Sequence, residues 1–246
     1  RDELSLFFQP IVDLKTGHIR SFEALLRWFH PLKGELRPAE FIPVAEETGV
    51  IVTLGNWITR QAALACAQWP EDISVAVNLS PLQIKAPGAV LAIEQALREA
   101  NLDPHRLELE VTESLFLEDS EQTAAFIDEL SAMGVRFALD DFGTGYSSLS
   151  YIHKFPFSKI KVDRCFVSGE DAGPRAHAII RAVAAMGRGL EMEIVAEGLE
   201  EQCQVETVRE AGCTLGQGYF FSRAVPDYLA AMLLAQDRDG DGLRAA

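Results

Sequence analysis

The sequence is poor in cysteine. Cys66, Cys165, Cys203 and Cys213 are the four cysteines among 246 residues, and no two of them form a Cys-x-x-Cys pair. This spacing excludes the usual zinc knuckle and gives no sign of a disulfide framework. We therefore expect reduced thiols that are mostly buried.

The chain also lacks a long hydrophobic run. No apolar stretch approaches the roughly 18 residues that span a bilayer, and no signal-like segment opens the chain. Its first residue is Arg1 rather than methionine, so we expect a piece of a longer protein, from which sensor or membrane segments are missing. With 246 residues and 48% hydrophobic content, one compact domain with one sizeable core is the expectation.

Positive charge is scarce. The chain has 22 Lys and Arg against 37 Asp and Glu, which gives a formal net charge of -15. This negative charge repels the phosphate backbone of DNA or RNA, so long nucleic acids are excluded as partners. A small anionic ligand remains compatible with this charge if divalent cations lie between the ligand and a group of carboxylates.

What the chain does contain is a regular alternation of strand and helix patterns. Short apolar runs predict eight strands at residues 4–8, 21–28, 74–79, 107–111, 135–139, 159–162, 194–196 and 214–219. Helical periodicity falls between them, at residues 38–47, 56–68, 89–100, 120–133, 147–153, 175–188, 200–211 and 226–235. The pattern predicts the α/β class and a single-domain (β/α)₈ TIM-like barrel. A doubly wound open sheet is the alternative, although it usually has fewer strands.

Alternation within the strands predicts a polar barrel interior. In residues 107–111 the apolar side chains share one strand face, and Glu108 and Glu110 share the other. Lys159 and Lys161 share a face in the same way. Because the large apolar set suits burial under the outer helices, these charged residues should point toward the barrel axis. Charges there are costly unless they are paired or bind a metal.

The predicted strands also finish on polar residues. These residues are Glu23, Asn78, Glu110, Asp140, Lys161, Glu197 and Gln217. The carboxyl ends of the strands form the active-site face of a (β/α)₈ barrel, so one mouth should gather all of them. Carboxylate and amide oxygens suit a hard cation such as Mg²⁺ or Mn²⁺. Zinc is disfavoured, since no two of the five histidines have helical ligand spacing.

The segment that begins at Asp140 allows more than one interpretation. Adjacent carboxylates at Asp140 and Asp141 repel each other unless a cation compensates, which indicates a metal site. Asp141 could instead be only a cap or turn residue before the next helix. The glycines at 143 and 145 resemble a phosphate-binding loop, but the segment lacks both a G-x-G-x-x-G pattern and a P-loop lysine.

Seven motifs in order resemble the EAL family of cyclic di-GMP phosphodiesterases. Residues 23–28 read Glu-Ala-Leu-Leu-Arg-Trp, which is similar to the motif that names the family. The other motifs are Asn-Leu-Ser at 78–80, Glu-Val-Thr-Glu at 110–113, Asp-Asp-Phe-Gly-Thr-Gly at 140–145, Lys-Val-Asp at 161–163, Glu-Gly-Leu-Glu at 197–200 and Gln-Gly-Tyr-Phe-Phe at 217–221. The match runs from about residue 6 to 225, nearly the whole chain. One departure is Glu201, where the family often has threonine.

The resemblance implies a metal-dependent hydrolase that opens one phosphodiester of cyclic di-GMP and releases linear pGpG. Two ions, Mg²⁺ or Mn²⁺, would occupy the site, and Ca²⁺ would inhibit. The implied metal ligands are Glu23, Asn78, Glu110, Asp140, Asp141, Asp163 and Glu197. The implied catalytic residues are Glu23, Lys161, Glu197 and Gln217, with Lys161 orienting or activating the attacking water. One alternative is a module that binds cyclic di-GMP or a protein partner without turnover, and another is a barrel hydrolase that acts on a different phosphodiester.

Further roles also follow from the resemblance. Substrate would contact Gln9, Leu26, Arg27 and Gln217, with Arg27 on a phosphate. The loop Phe142, Gly143, Thr144 and Gly145 would couple dimerisation to metal binding, supported by Glu113 and Glu200. We expect a homodimer of cytoplasmic domains, attached in the full-length protein to sensor, GGDEF or membrane segments, with anchoring in the inner membrane left open. The phosphodiesterase domain is assigned to residues 1–236, and residues 237–246 are expected to form a solvated acidic tail rather than part of an EF-hand.

Overall fold

The structure, a computed structural model, describes residues 3–116, 121–143, 149–168, 173–240 and 242–243. Its strands are β1 (Leu4–Asp13), β2 (Ile19–His30), β3 (Gly34–Leu36), β4 (Ser74–Asn78), β5 (Leu107–Thr112), β6 (Arg136–Phe142), β7 (Phe157–Val162), β8 (Glu193–Ala196), β9 (Leu215–Gln217) and β10 (Val225–Pro226). Its α-helices are α1 (Pro38–Glu47), α2 (Val50–Cys66), α3 (Pro81–Lys85), α4 (Ala89–Ala100), α5 (Glu121–Ala132), α6 (Leu149–Lys154), α7 (Pro174–Gly189), α8 (Gln202–Ala211) and α9 (Asp227–Asp239).

Eight of these strands close into a barrel. The strand order is β1-β9-β8-β7-β6-β5-β4-β2, and β2 pairs with β1 to complete the ring. The predicted (β/α)₈ barrel is therefore confirmed, and the open-sheet alternative is wrong. One strand departs from the parallel arrangement, because β1 runs antiparallel to both β2 and β9. Only residues 14–18 join β1 to β2, whereas a parallel crossover needs about a dozen residues or more.

The polar interior that the strand alternation predicts is confirmed. Glu108 and Glu110 lie on β5, while Lys159 and Lys161 lie on β7, and β6 separates these two strands in the sheet. Side chains of β5 and β7 can meet only inside the barrel. They do so, with Lys159 Nζ 2.7 Å from Glu108 Oε1 and Lys161 Nζ 2.8 Å from Glu110 Oε2. The alternating apolar side chains of β5 pack instead in the layer beneath the helices.

Helix α2 is longer than the sequence pattern predicts. The pattern starts this helix at residue 56, but it begins at Val50 and continues through Gly55. Gly55 is a packing position rather than a helix stop, because a Cβ there would lie 2.1 Å from the Gln83 side chain. Gln83 in turn belongs to α3, whose first turn is capped by the Ser80 side chain. These contacts fix the segment that follows β4 on the outside of the barrel.

The prediction of a solvated tail from residue 237 is wrong at Asp237. Helix α9 continues to Asp239, and the Asp237 side chain is 5% exposed. Its carboxylate accepts a hydrogen bond from the Ile19 backbone at 3.1 Å and lies 3.3 Å from His18 Nδ1. The reason is tertiary, since α9 packs along β1 and carries Asp237 to the start of β2. Within the described residues, no helix has the length and apolar content that a membrane crossing requires.

The four cysteines form no disulfide with one another, as the spacing predicts. Cys66 and Cys213 are buried, and burial raises their pKa values to about 11 and about 12. Cys203 is exposed, so the expectation of burial is wrong for this residue.

Candidate active site

The polar residues that finish the strands converge on one mouth of the barrel. A cavity of about 320 Å³ opens there. Its lining consists of Gln9, Glu23, Leu25, Asp140, Asp141, Lys161, Arg164, Glu197, Gly198, Glu200, Gln217, Gly218 and Tyr219. Five of the seven predicted strand-end residues are in this lining. The other two, Asn78 and Glu110, line a neighbouring cavity of about 490 Å³.

Lys161 lies at the centre of this group and is 1% exposed. Its Nζ is 2.8 Å from both Glu110 Oε2 and Glu197 Oε1. The same atom is 3.2 Å from Asp140 Oδ1 and 3.4 Å from Glu23 Oε2. One buried cation therefore faces four carboxylates, and the negative charge of the site exceeds the positive charge.

The pKa shifts reflect this imbalance. Burial, together with the charges of Glu23 and Asp140, raises the pKa of Glu110 despite the attraction of Lys161. Burial likewise raises the pKa of Glu197 to about 8. Burial alone would lower the pKa of Lys161, but the surrounding carboxylates raise it well above its ordinary value. The charged form of Lys161 is therefore strongly favoured. The negative charges of Glu110 and Glu197 are not fully compensated by positive charge.

Glu23 differs from its neighbours in having several donors. Gln217 Nε2 and Asn78 Nδ2 each donate to its carboxylate at 2.7 Å. Burial would raise the pKa of Glu23, but Lys161 and these two amides together lower it. Glu23 is thus held as an anion, with both of its oxygens oriented by the ends of β4, β7 and β9.

The donor set fits a hard divalent cation. Carboxylate oxygens of Asp140, Asp141 and Glu197 lie within 4.8 Å of one another. Among the residues that the structure describes, the buried oxygens without a hydrogen-bond partner include two at this site, Glu110 Oε1 and Gln217 Oε1. Unsatisfied buried oxygens are uncommon and call for a further donor or an ion. Oxygen ligands without Cys or His are those that Mg²⁺ and Mn²⁺ prefer.

Asp141 takes part in the site rather than in a helix cap. It has a φ of 53°, a left-handed conformation that non-glycine residues rarely adopt. Its pKa is raised by burial and by the charges of Asp140 and Asp163. Asp141 lies within β6, which runs to Phe142, and it lines the cavity, so the alternative that it is only a cap or turn residue before the next helix is wrong. Backbone strain of this kind often marks functional positions.

Other predicted residues lie at the edge of the site. Asp163 is close enough to shift the pKa of Asp141, but its side chain caps the 3₁₀ turn Arg164–Phe166 by accepting from Cys165 N at 2.9 Å. Glu113 is buried and accepts from the Tyr151 hydroxyl at 2.8 Å, which ties it to α6. Glu200 lines the cavity.

The segment that follows Asp141 is only partly described. Phe142 is buried and pairs with Val162, and a Cβ at Gly143 would lie 2.8 Å from the Phe166 ring. Thr144 and Gly145 lie outside the described residues. The predicted role of this loop in dimerisation therefore stays a prediction.

The predicted substrate-binding residues divide into two groups. Gln9 and Gln217 line the cavity, with Gln217 Nε2 3.4 Å from Gln9 Oε1. The Leu26 side chain packs into the hydrophobic core and faces the neighbouring cavity. Arg27 is absent from the described lining of both cavities, and its Nε lies 3.5 Å from Glu35 of β3. Sequence alternation predicts the position of Leu26, because Leu25 rather than Leu26 shares the strand face of Glu23. It does not predict that of Arg27, which shares the face of Glu23 but lies further along β2.

Sequence reasoning missed several residues of the cavity wall. Leu25, Arg164, Gly218 and Tyr219 all line it. Gly218 allows the segment after β8 to approach closely, since a Cβ there would lie 2.0 Å from the Leu199 carbonyl oxygen. A glycine directly after a strand-end glutamine is a signal for such an approach. Arg164 follows Asp163 directly, but the sequence does not show that its side chain reaches the mouth.

Comparisons with known proteins identify relatives of this chain. The EAL domain family model matches residues 1–224. The chain is 41% identical over 239 residues to the bifunctional diguanylate cyclase/cyclic di-GMP phosphodiesterase MucR of Pseudomonas aeruginosa, covering 96% of this chain and 34% of that protein. It is 40% identical over 235 residues to the cyclic di-GMP phosphodiesterase NbdA of the same species, covering 94% of this chain and 30% of that protein. The chain thus spans about a third of the length of these relatives.

A solved structure shows the same fold. The PaMucR phosphodiesterase in its c-di-GMP complex superposes with a TM-score of 0.88 at 40% identity, over 93% of this chain and 94% of that one. The family match covers nearly the whole barrel, and the relatives named as phosphodiesterases are well above 30% identical. This chain therefore belongs to the EAL domain family.

Proposed function

We propose that this domain hydrolyses one phosphodiester bond of cyclic di-GMP to give linear pGpG in a metal-dependent reaction. The observation that carries the proposal is the buried Lys161 with four carboxylates around it at the barrel mouth. The PaMucR phosphodiesterase, whose structure contains c-di-GMP, supports the choice of substrate.

The carboxylates would hold the metal ions. Glu23, Asn78, Glu110 and Asp140 are proposed to hold one ion, while Asp140, Asp141 and Asp163 serve a second, with Glu197 completing the site. When bound, divalent ions lower the pKa of a coordinated water and neutralise charge on the phosphate. We expect the strongest response to metal at the two site oxygens on Glu110 and Gln217 that lack a hydrogen-bond partner among the described residues.

Lys161 supplies a fixed positive charge beside the reacting phosphate. Its pKa is raised by the carboxylates that contact it, so it does not act as a base. We propose that its ammonium group orients the attacking water and stabilises negative charge as it develops on the phosphate. Preorganised charges of this kind act mainly on the transition state. Gln217, which donates to Glu23, would position water or substrate beside it.

The cavities are compatible with a substrate larger than one nucleotide. The acidic cavity and its neighbour of about 490 Å³ share Leu25 in their linings. The second cavity has mostly apolar walls, including Ile42, Ile51 and Ile58, with polar groups from Glu46 and Gln83. Apolar walls with a few polar groups suit a nucleobase. We propose that the phosphates occupy the acidic cavity, that one base enters the second, and that Arg27 approaches a phosphate from the rim.

The test is incubation of the domain with cyclic di-GMP and Mg²⁺ or Mn²⁺, followed by chromatographic separation of substrate, pGpG and GMP. We expect pGpG to accumulate with either ion and no turnover in excess chelator. Binding of cyclic di-GMP without any product would identify a receptor and reject the proposed hydrolysis. Cleavage of unrelated phosphodiesters at equal rates would reject the substrate assignment.

Assembly is a separate question. Homodimerisation through the EAL domain, attachment to GGDEF, sensor or membrane segments, and the cytoplasmic placement of this domain stay predictions. The name of MucR, which includes a diguanylate cyclase, supports the attachment of a second catalytic domain in proteins of this kind.

A further inference from the structure

Arg164 is a cation on the wall of the acidic cavity that the proposed reaction has not used. It begins the 3₁₀ turn Arg164–Phe166 after β7, and its side chain is exposed and lines the cavity. The same lining contains the carboxylates of Glu23, Asp140, Asp141, Glu197 and Glu200. Within the residues that the structure describes, its guanidinium makes no ion pair, hydrogen bond or ring contact.

The backbone of Arg164 is firmly placed. Its carbonyl oxygen accepts from Val167 N at 2.9 Å and from Ser168 N at 2.8 Å. Gly198 packs against the base of the side chain, since a Cβ at 198 would lie 2.4 Å from Arg164 Cβ. Gly198 has a φ of 68°, so glycine is favoured there for two independent reasons. Arg164 is therefore fixed between two predicted metal ligands, one residue after Asp163 and against the neighbour of Glu197.

Other cations near the mouth are already engaged. Lys161 contacts four carboxylates. Arg27 donates to the Leu26 carbonyl at 3.0 Å and lies near Glu35. The Arg223 guanidinium lies 4.0 Å from the centre of the Tyr219 ring. Among the described cations of this region, Arg164 keeps its donors available, although carboxylates surround it.

We propose that Arg164 binds the phosphate that is cleaved and retains it as the terminal 5′-phosphate of pGpG. This inference rests on the proposed function. A guanidinium presents a planar pair of donors that matches two nonbridging phosphate oxygens. Its position beside Asp163 and Glu197 selects the reacting phosphate rather than the distant one. A phosphodiester carries one negative charge, whereas a terminal phosphate carries about 1.5 to 2 at neutral pH. The contact should therefore be stronger with the product than with the substrate.

The test compares Arg164→Gln with Arg164→Lys and with the control Arg181→Gln. Arg181 is exposed on α7, so the control removes the same charge outside the cavity. Binding of cyclic di-GMP and of pGpG would be measured by calorimetric titration in Ca²⁺, and steady-state kinetics in Mg²⁺. For Arg164→Gln we expect the Kd of pGpG to rise about tenfold and that of cyclic di-GMP by roughly threefold. The KM should rise by about the same factor as the Kd of cyclic di-GMP, and kcat should fall by less than about threefold.

Arg164→Lys should recover part of the pGpG affinity, because it keeps the charge but loses the paired donors. Arg181→Gln should match the wild type. The assignment would be overturned by a pGpG Kd equal to that of the control, by equal weakening of both ligands, or by a fall in kcat with unchanged KM and Kd. If the wild type binds both ligands but never turns over substrate, the proposed hydrolysis fails while the binding comparison still decides the role of Arg164. If the wild type binds neither ligand, both proposals fail.

Discussion

Two lysine–glutamate pairs lie one above the other inside this barrel, on the same two strands. Lys159 contacts Glu108 at 2.7 Å, and two residues further along, Lys161 contacts Glu110 at 2.8 Å. All four side chains are at most 2% exposed. Residue types and strands are the same and the nitrogen–oxygen distances are nearly equal, so the difference between the pairs comes from their surroundings.

The pKa values of the two glutamates shift in opposite directions. Burial would raise the pKa of Glu108, but Lys159 and Arg136 more than offset it, and the pKa is lowered. Burial also raises the pKa of Glu110, and there Glu23 and Asp140 add to it, so that Lys161 does not compensate. In the lower pair, Lys159 and Glu108, the positive charges compensate the carboxylate. In the upper pair, Lys161 and Glu110, the surrounding carboxylates outnumber the lysine. A buried surplus of this kind is expected where a cation binds.

The largest effect should follow from removing a carboxylate of the upper layer. We expect Glu23→Ala or Asp140→Ala to abolish turnover while the fold is retained, because each removes a proposed metal ligand and little core packing. Without metal, Asp140→Ala should leave the free energy of unfolding unchanged or slightly higher, since like-charge repulsion is relieved. Glu23→Ala should lower it slightly, because the Gln217 and Asn78 amides lose their acceptor. Activity assays and thermal unfolding would test this. The control is Glu210→Ala on the exposed side of α8, and near-native hydrolysis by either variant would refute the site.

Replacing Mg²⁺ with Ca²⁺ should separate metal binding from turnover at the carboxylates around Lys161. We expect Ca²⁺ to raise the melting temperature of the wild type but to support no hydrolysis. Its oxygen ligands lie at about 2.3–2.6 Å, against roughly 2.0–2.1 Å for Mg²⁺, which misplaces the attacking water. Calorimetry in each ion and product chromatography are the measurements. Full activity with Ca²⁺ as the only metal would contradict the geometric argument.

Removing the upper lysine should slow the reaction without releasing the substrate. For Lys161→Ala we expect kcat to fall about 10²-fold or more, the scale of one preorganised electrostatic group. Affinity for cyclic di-GMP should change by at most roughly tenfold, because other groups still hold the phosphates. Titration in Ca²⁺ and steady-state assays in Mg²⁺ separate the two quantities. A variant that keeps kcat but loses binding would make Lys161 a ligand clamp instead.

Removing the lower lysine should affect stability and leave the chemistry nearly intact. We expect Lys159→Met to reduce the free energy of unfolding by about 3–5 kcal/mol, because Glu108 loses its buried partner. The double variant Lys159→Met, Glu108→Gln should recover much of that loss, since no buried charge is left unpaired. At temperatures where the variants are folded, kcat should stay within roughly threefold of the wild type. Denaturant unfolding and kinetics test both, and a large kcat loss in the folded double variant would show that the two layers are coupled.

Much of this protein can be predicted from local sequence patterns. Alternating side chains and eight strand–helix units predict the closed barrel, because both periodicities are local properties of the chain. Polar residues at the strand ends, from Glu23 to Gln217, predict the mouth where the structure brings them together. The apolar and charged faces of β5 and β7 are also set locally, by the residues 107–111 and 159–162 themselves.

Other features depend on contacts between distant parts of the chain. The antiparallel direction of β1 follows from a short connection and from pairing with β9 at the other end of the chain. Asp237 is buried because α9 reaches the start of β2, over 200 residues away in sequence. The opposite pKa shifts of Glu108 and Glu110 arise because Glu23 and Asp140 approach only one of them. The order of residues along the chain does not show which residues come close in space, and burial and charge act through space across the closed barrel.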